Sequence, residues 1–326
     1  MPGNDSAGST LLSKILGVVM DELTSINPKK DSTLAMMEAA DANGWKLRVM
    51  YLADLHIHNG EAFAYQRQIS LFPGQDPWYS VDKTFTTSLK DLDAILMRKD
   101  PPFDMEYIYA TYMLEIAEKA GTPVFNRPGS IRDCNEKLFA LQFPQCCPTH
   151  LVSRDPARLK AFHQEHGDVI FKPLDGMGGA SIFRLKADDP NVSVIIETLT
   201  DHGRRQIMAQ QFIPEIVNGD TRILLINGEP VEYGLARIPA KGETRGNLAA
   251  GGSGVARPLN DRDRWICEQI GPELKRRGLY FVGIDVIGDY LTEINVTCPT
   301  CIREINKAYD LDIAGDYLKF VEQIVS

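Results

Sequence analysis

The segment VIFKPLDGMGGAS, residues 169–181, joins a lysine to a glycine-rich turn. Three β-branched or aromatic residues favour a strand that carries Lys172 at its end, and Pro173 stops that strand or confines it to a sheet edge. The turn contains Gly176, Gly178 and Gly179. Without Cβ atoms such a turn can direct backbone amides at a ligand. A lysine beside such a turn could bind a triphosphate. The alternative interpretation is an exposed lysine that precedes an ordinary hairpin turn.

This pattern differs from the common nucleotide-binding motifs. GxxxxGK[ST] does not occur, and here the lysine precedes the glycines on a strand instead of following them at a helix start. GxGxxG is also absent. A bound nucleotide would therefore need a different architecture.

Length, composition and charge limit the classes of function. A chain of 326 residues with 44% hydrophobic residues can form two or three subdomains. The formal net charge of −9 argues against nucleic acid, which needs a basic surface. No apolar run reaches the ~20 residues of a membrane span, and residues 1–12 lack signal-peptide features. We expect a cytoplasmic protein that binds neither nucleic acid nor membrane, with a mobile tail over residues 1–12.

Six cysteines without a secretory signal predict reduced thiols. Cys298 and Cys301 form a CPTC motif, which would be redox-active if one thiol were acidified. Zinc would require two further ligands that no second motif supplies. We therefore interpret the cysteines as incidental thiols beside a site.

The N-terminal third alternates strands and helices. Residues 14–20, 45–51 and 93–97 predict strands, and Ser32 is a candidate N-cap for a helix that ends at Ala42. Ligands of such units bind at the carboxyl ends of the strands. Lys30 and Asp31 follow the first strand, and Arg98 follows the third. A solvated loop is the alternative for the first of these segments.

A second basic residue could join Lys172. Ser130 is a candidate N-cap for another helix, and Lys137 falls one turn later. Exposed helical lysines are normally solvated, so a role depends on whether Lys137 and Lys172 converge. Pro144 and Pro148 then interrupt the chain, which predicts a domain boundary.

Two arginines lie on a predicted hairpin in the second half. Residues 221–226 and 230–238 are strands around Asn227-Gly228, a hairpin signal. Arg222 and Arg237 lie one on each strand and could each hold phosphate oxygens, or pair with a neighbouring carboxylate. Upstream, the end of the strand at residues 206–212 could read an adenine edge through its backbone.

Residues 239–254 have no hydrophobic periodicity and are rich in glycine. A long segment of this kind within a compact domain is usually functional or disordered. Arg245 lies near its middle. We interpret the segment as a lid that excludes water from a reactive intermediate.

Three oxygen-bearing residues predict a magnesium site. Glu293 and Asn295 are two apart on a strand, so their side chains leave the same face, and Asp285 lies on the strand expected to pair with it. Two carboxylates and an amide suit octahedral magnesium, and a salt-bridged hairpin is the alternative. Thr300 and Arg303 follow and suit a substrate carboxylate.

Four segments closely resemble bacterial glutathione synthetases, which are ATP-grasp ligases. They are FKPLDGMGGAS (171–181), MRKDPPFD (97–104), RGNLAAGG (245–252) and LTEINVT (291–297). The resemblance extends in register from about Lys14 to the C-terminal helix. It departs in the N-terminal tail, at Cys298 where serine is expected, and after Asn306.

The resemblance implies a three-part α/β ATP-grasp fold. Its parts are a pre-ATP-grasp domain over residues 13–142, a small lid domain over 143–213, and a C-terminal antiparallel-sheet domain over 214–326 that includes the loop 239–254. ATP would lie between two antiparallel sheets. The implied reaction joins γ-glutamylcysteine and glycine to give glutathione, ADP and phosphate, with Mg²⁺ as cofactor and Mn²⁺ as a possible substitute. Such proteins are typically homotetramers.

The resemblance also implies roles for individual residues. The implied ATP-binding residues are Lys137, Lys172, Gly176, Gly178, Gly179, Gln210, Phe212, Ile213, Asp220 and Arg222. The implied substrate-binding residues are Lys30, Asp31, Arg98, Asn295, Thr300 and Arg303. The catalytic residues would be Arg222, Arg237 and Arg245, and the metal ligands Asp285, Glu293 and Asn295. An ATP-grasp ligase for another amino-acid pair and a nucleotide-binding regulatory protein without ligase activity are the alternatives.

Overall fold

The computed structural model describes residues 13–176, 178–243, 245–246 and 251–326, and contains three sheets. In the first part of the chain, the elements are β1 (Ile15–Val19), α1 (Ser32–Ala42), β2 (Lys46–Met50), β3 (Leu55–His58), β4 (Glu61–Leu71), β5 (Tyr79–Ser88), β6 (Ala94–Met97), α2 (Met105–Lys119), β7 (Val124–Phe125) and α3 (Pro128–Asp133). Strands β2, β1, β6 and β7 are parallel neighbours, and β4 and β5 extend the sheet antiparallel. The predicted βαβ unit is confirmed.

Two helix caps differ from the sequence prediction. Asp31, not Ser32, caps α1, and its Oδ1 accepts a hydrogen bond from the Leu34 N–H at 2.6 Å. A carboxylate satisfies the free amides of a first turn as well as a hydroxyl does. Ser130 lies inside α3, which begins at Pro128, and its hydroxyl donates to the Arg277 carbonyl at 2.5 Å. Helix α3 ends at Asp133, so Lys137 lies beyond it, in a separate turn that the Phe139 N–H closes on the Asn135 carbonyl at 2.8 Å.

The second sheet belongs to a small domain. Its elements are β8 (His150–Ser153), α4 (Pro156–His166), β9 (Asp168–Pro173), β10 (Phe183–Lys186), α5 (Val192–Leu199) and β11 (Ile207–Gln211). The four strands are antiparallel in the order β10-β9-β11-β8. Val169 and Phe171 pack into the core beneath the two helices. Because strand side chains alternate, Ile170 and Lys172 leave the opposite face.

The third sheet has five antiparallel strands in the order β14-β13-β12-β15-β16. Its elements and the closing helices are β12 (Asp220–Ile226), β13 (Glu229–Ile238), β14 (Ser253–Pro258), α6 (Asp261–Arg277), β15 (Phe281–Ile287), β16 (Tyr290–Asn295), α7 (Ile302–Tyr309) and α8 (Ile313–Val325). Helix α6 covers one face through Ile266, Ile270 and Leu274. The predicted loop 239–254 is too long by two residues, because Ser253 and Gly254 pair with β13.

Helix α8 packs back onto the first domain. Tyr317 and Val321 share one apolar core with Leu34 and Met37 of α1. This contact brings the turn before α7 close to the carboxyl ends of β1 and β6. No helix in the described ranges combines the length and apolar character that crossing a membrane requires.

Candidate active site

A cavity of about 350 Å³ has the small domain's sheet and the C-terminal sheet in its lining. This volume lies within the range of small-molecule sites. Its lining includes Lys137 and Lys172, so the two lysines converge although they are far apart in sequence.

Lys172 is a buried ammonium at the end of β9. The side chain leaves the face opposite the small-domain core, and the residue is 5% exposed. No ion pair to it is found among the described residues. Burial lowers the pKa of Lys172, and the charge of Glu293 opposes that change. An ammonium in this setting favours an anionic ligand.

Lys137 is held by partners from three segments. Its ammonium contacts the Glu136 carboxylate, donates to the Gly176 carbonyl at 2.9 Å, and lies 3.4 Å from Glu293 Oε1. Burial lowers the pKa of Lys137, but the charges of Glu293 and Glu136 outweigh it and the net shift is upward. Lys137 is therefore a fully charged group in the cavity wall.

A row of charged side chains crosses the C-terminal sheet. Arg222 on β12 is the cross-strand partner of Asp285 on β15, which is in turn the partner of Glu293 on β16. Arg222 donates to both carboxylate oxygens of Asp285, at 2.5 and 3.0 Å. Arg237 lies 2.9 Å from Asp285 Oδ2 and 2.6 Å from Asp220 Oδ2. The pairing of both arginines with carboxylates, left open by the sequence, is the arrangement found.

The pKa values of two acids in this network shift in opposite directions. Burial raises the pKa of Asp285, but Arg222 and Arg237 outweigh it and hold that pKa below the ordinary range. Burial raises the pKa of Asp220 to about 7, against the charge of Arg237 and helped by that of Asp285. Oδ1 of Asp220 is buried without a hydrogen-bond partner among the described residues. That oxygen is an acceptor available to a ligand.

The three predicted metal ligands lie together. Asp285, Glu293 and Asn295 all line the cavity, and the Asn295 amide donates to Asp285 Oδ2 at 3.3 Å. Among the described residues there is no group of three or more His, Cys, Asp or Glu side chains able to hold a metal. A metal ion here would depend on the Asn295 oxygen and on ligand oxygens in addition to the two carboxylates.

The glycine turn borders the same cavity. Gly176, Gly178 and Gly179 line it, and Met177 lies outside the described residues. Gly178 and Gly179 have φ of 62° and 79°, a left-handed backbone that glycine adopts without strain. A Cβ on Gly176 would lie 2.7 Å from Pro173 Cγ. The turn therefore requires glycine for its shape.

The strand that was predicted to read an adenine ends in the cavity. Gln210, Phe212 and Ile213 line it, together with Asp220. The Arg184 guanidinium lies 3.5 Å from the centroid of the Phe212 ring and fixes that ring from one side. Gln210, Phe212 and Ile213 form the less charged end of the cavity.

The predicted substrate residues divide into two groups. Thr300 and Asn295 line the cavity, whereas its described lining does not include Lys30, Asp31, Arg98 or Arg303. Lys30 is exposed. Arg303 donates to the Asp31 carbonyl and the Glu38 carboxylate, both at 3.0 Å. The sequence did not anticipate this pairing across α1 and α7.

Arg98 is buried instead of facing open space. It donates to the Thr33 hydroxyl at 3.1 Å and to the Pro299 carbonyl at 2.8 Å. It thereby connects β6 and α1 to the turn that carries Cys298 and Thr300. These contacts indicate that Arg98 supports that turn.

The predicted lid lies partly outside the described residues, which omit Thr244 and residues 247–250. Arg245 and Gly246 are described and line the cavity. The Arg245 guanidinium pairs with Glu243 at 2.9 Å. The described part of the segment therefore borders the cavity at these two residues.

Several residues that line the cavity, among them Glu136 and Cys298, have no role assigned from the sequence. Glu136 was passed over although it adjoins Lys137 in the sequence. Cys298, interpreted from the sequence as a thiol beside a site, lines the cavity, and its sulfur lies 4.0 Å from the Thr33 hydroxyl. All six cysteines are free. Burial raises the pKa of Cys298 and of Cys301, which disfavours the reactive thiolate.

The fold and the site define an ATP-grasp ligase, and solved structures of this class share the fold. The D-cycloserine synthetase DcsG matches with a TM-score of 0.68 at 14% sequence identity, over 96% of this chain and 100% of that chain. The ATP-grasp ligase PsnB complexed with minimal precursor, Mg and ADP matches with a TM-score of 0.62 at 19% identity, over 95% and 98%. The predicted ATP-grasp fold is confirmed.

Comparisons with family models and with relatives identify the family of ATP-grasp ligases to which the chain belongs. The model of the prokaryotic glutathione synthetase N-terminal domain matches residues 15–132, and that of its ATP-grasp domain matches residues 136–310. The glutathione synthetase of Vibrio vulnificus (strain YJ016) is 59% identical over 308 residues, which cover 94% of this chain and 97% of that protein. The chain belongs to the prokaryotic glutathione synthetase family. The predicted function, ATP-dependent and ADP-forming ligation in glutathione synthesis, is confirmed.

Proposed function

We propose that the cavity binds ATP and that its residues join γ-glutamylcysteine to glycine through an acyl phosphate. The observation that carries the proposal is the convergence of Lys137, Lys172, Arg222 and Arg237 with Glu293 in the lining of one cavity. Such a set places cations for a polyphosphate opposite acids for a divalent ion.

The nucleotide would lie along the cavity from the adenine end to the charged end. Gln210, Phe212 and Ile213 would contact the base, and the unpartnered Asp220 oxygen would accept a hydrogen bond from the nucleotide. The glycine turn, through Gly176, Gly178 and Gly179, would cover the phosphates. Lys172, a buried cation without an ion pair among the described residues, would neutralise their charge together with Lys137 and Arg222.

Magnesium fits the donor set, since Asp285, Glu293 and Asn295 present hard oxygen ligands to the nucleotide's charged end. Bound there with nucleotide, the ion would offset phosphate charge during phosphoryl transfer. Manganese, which takes the same ligand types, is proposed as a substitute. Arg222 and Arg237 hold Asp285 ionised and oriented, and so prepare it as a ligand.

The acceptor side would involve the turn around Thr300. Thr300 and Asn295 face the cavity and would contact substrate. We propose that Lys30, Asp31, Arg98 and Arg303 serve substrate binding at the rim, with Arg98 acting through its hold on Pro299. A dipeptide with two carboxylates and an ammonium needs both signs of charge, which this rim supplies.

The chemistry needs no protein nucleophile. A carboxylate is a poor electrophile, so the dipeptide carboxylate would attack the γ-phosphorus and release ADP. The glycine amine would then attack the acyl carbon and release phosphate. The residues contribute by positioning and by charge stabilisation from Arg222, Arg237 and the two lysines.

Assembly, location and domain division are also proposed from the resemblance. We expect a homotetramer in the cytoplasm, with domains at 13–142, 143–213 and 214–326 after a tail at 1–12. Light scattering coupled to gel filtration measures the assembly directly. A mass of about 36.3 kDa would contradict the tetramer, because that is the mass of one chain.

The test of the proposed function measures ADP release with γ-glutamylcysteine, with glycine, with both, and with neither. Release that requires both substrates and matches glutathione formation supports the proposal. Release with neither substrate, or no release with both, contradicts it.

We expect Arg245→Ala to leave ATP binding nearly intact, to lower ligation and to raise uncoupled hydrolysis, because an open lid exposes the acyl phosphate to water. The loss of ligation should be roughly tenfold, which corresponds to about 1.4 kcal/mol of barrier. Paired ADP and glutathione assays give the coupling ratio. Lys241→Ala, at an exposed position of the same segment, is the control. An unchanged ratio in Arg245→Ala would argue against the lid role.

A further inference from the structure

Glu136 is a cavity carboxylate that none of the roles above uses. It lies in the lining beside Lys137, and its Oε1 accepts a hydrogen bond from the Lys137 ammonium. The Glu136 side chain is 21% exposed and that of Lys137 only 2%. A negative charge so close to the proposed phosphate site repels the phosphates of a nucleotide. Its presence in the cavity therefore calls for a compensating role.

The main chain around Glu136 is held in place by both neighbouring domains. The Glu136 carbonyl accepts the Ile294 N–H at 2.8 Å, which fixes it beside the strand that carries Glu293. The Asn135 amide donates to the Leu174 carbonyl at 3.0 Å, and its oxygen accepts the Lys137 N–H at 3.1 Å. The main chain that carries the Glu136 carboxylate is therefore fixed beside Lys137 and beside the strand of Glu293.

The Lys137 ammonium has three partners, the carboxylates of Glu136 and Glu293 and the Gly176 carbonyl. These account for the three N–H donors of a lysine. If Glu293 were the only carboxylate partner, its transfer to a metal ion would remove the last protein counterion of a buried ammonium. Such a group is costly, so the lysine would compete with the metal.

We propose that Glu136 is a positioning residue that retains the charge of Lys137 and so frees Glu293 to bind magnesium. The proposal rests on the assignment of Glu293 to the metal under the proposed function. With Glu136 present, the release of Glu293 leaves Lys137 with one carboxylate partner and frees one of its N–H donors for a phosphate oxygen. Loss of the Glu136 charge should therefore lower the affinity for magnesium more than it changes the affinity for nucleotide.

The experiment titrates MgCl₂ into the full chain saturated with ADP and follows the midpoint of thermal unfolding. Glu136→Gln keeps the size and an acceptor oxygen but removes the charge. We expect the magnesium concentration at half-effect to rise about tenfold, as for other residues that support metal ligands. ADP affinity without metal should change by less than about threefold. Glu136→Asp, which keeps the charge, should restore most of the loss.

Further variants separate the possible outcomes. If Glu293→Gln leaves the magnesium dependence unchanged, the metal assignment itself fails. If Glu293→Gln weakens magnesium binding and Glu136→Gln does not, only the role of Glu136 is overturned. In a Lys137→Met background Glu136→Gln should add nothing, and an equal loss in both backgrounds would also overturn the role. Glu229→Gln, which breaks an exposed pair with Lys275, is the matched control and should have no effect.

Discussion

Replacement of Asp285 by asparagine should lower the free energy of unfolding by about 3–5 kcal/mol, the usual cost of removing one partner from a buried ion pair. Both oxygens of Asp285 are used, by Arg222 at 2.5 and 3.0 Å and by Arg237 at 2.9 Å. An amide can accept from one guanidinium but carries no charge to offset two. Arg237 retains Asp220, whereas Arg222 has no other ion pair among the described residues.

The same substitution should also lower ADP formation by roughly a hundredfold or more, since it removes a proposed metal ligand and misaligns two arginines that are proposed to be catalytic. Urea unfolding monitored by circular dichroism gives the stability, and coupled ADP assays give the rate. Asp289→Asn, at an exposed turn position after the same strand, is the control and should change neither. A stability loss below about 1 kcal/mol would show that the ion pairs of Asp285 contribute no more to stability than a solvent-exposed ion pair does.

The pH dependence of stability provides a second readout of Asp285. Burial raises its pKa, but the two arginines outweigh burial and depress it. A carboxylate with a depressed folded-state pKa stabilises the protein above its unfolded pKa of about 3.9, and the contribution is lost as pH falls through the folded value. The acid limb of the stability curve should therefore flatten in Asp285→Asn.

The position of Lys172 was predictable because it needs only local rules. Residues 169–171 favour a strand, and strict alternation places Lys172 on the face opposite Phe171. The same period of two placed Glu293 and Asn295 together. Within one strand, spacing alone decides which side chains share a face.

Contacts between strands and between domains were not predictable in the same way. The arginine–carboxylate pairing depends on the register of β12 against β15, which the sequence does not show. Lys137 was placed on a helix because Ser130 looks like a cap, yet the helix begins at Pro128. Arg98 looked like a basic strand exit, but the return of α8 onto α1 buries it against Pro299. The arginine–carboxylate pairing and the burial of Arg98 are set by tertiary packing, whereas Pro128 at the start of the helix is a local signal that the sequence analysis did not use.

Gly246→Ala should reduce ligation more than any other single methyl addition to the described part of the 239–254 segment. A Cβ at this position would lie 2.3 Å from the Arg237 carbonyl oxygen and 3.0 Å from Asp220 Cβ. Real Cβ atoms do not approach backbone so closely, so the segment must move away from β12 and β13. Arg245 would move with it. A displacement of about 1 Å in a positioned group can cost a factor of about 10² in rate.

The effect should appear in turnover and not in folding, because the clash is relieved by moving a surface segment and leaves the buried sheet intact. We expect the ligation rate to fall by about 10²-fold, the ratio of ADP to glutathione to rise, and the urea midpoint to stay within error of the parent. Gly242→Ala separates contact from backbone strain: Gly242 has a φ of +88° but no atom within 4 Å of its Cβ position. If both variants lose activity equally, backbone strain in the segment explains the loss. If Gly246→Ala remains fully active, the segment does not need its close approach to Arg237, and the proposal that it closes over the acyl phosphate fails.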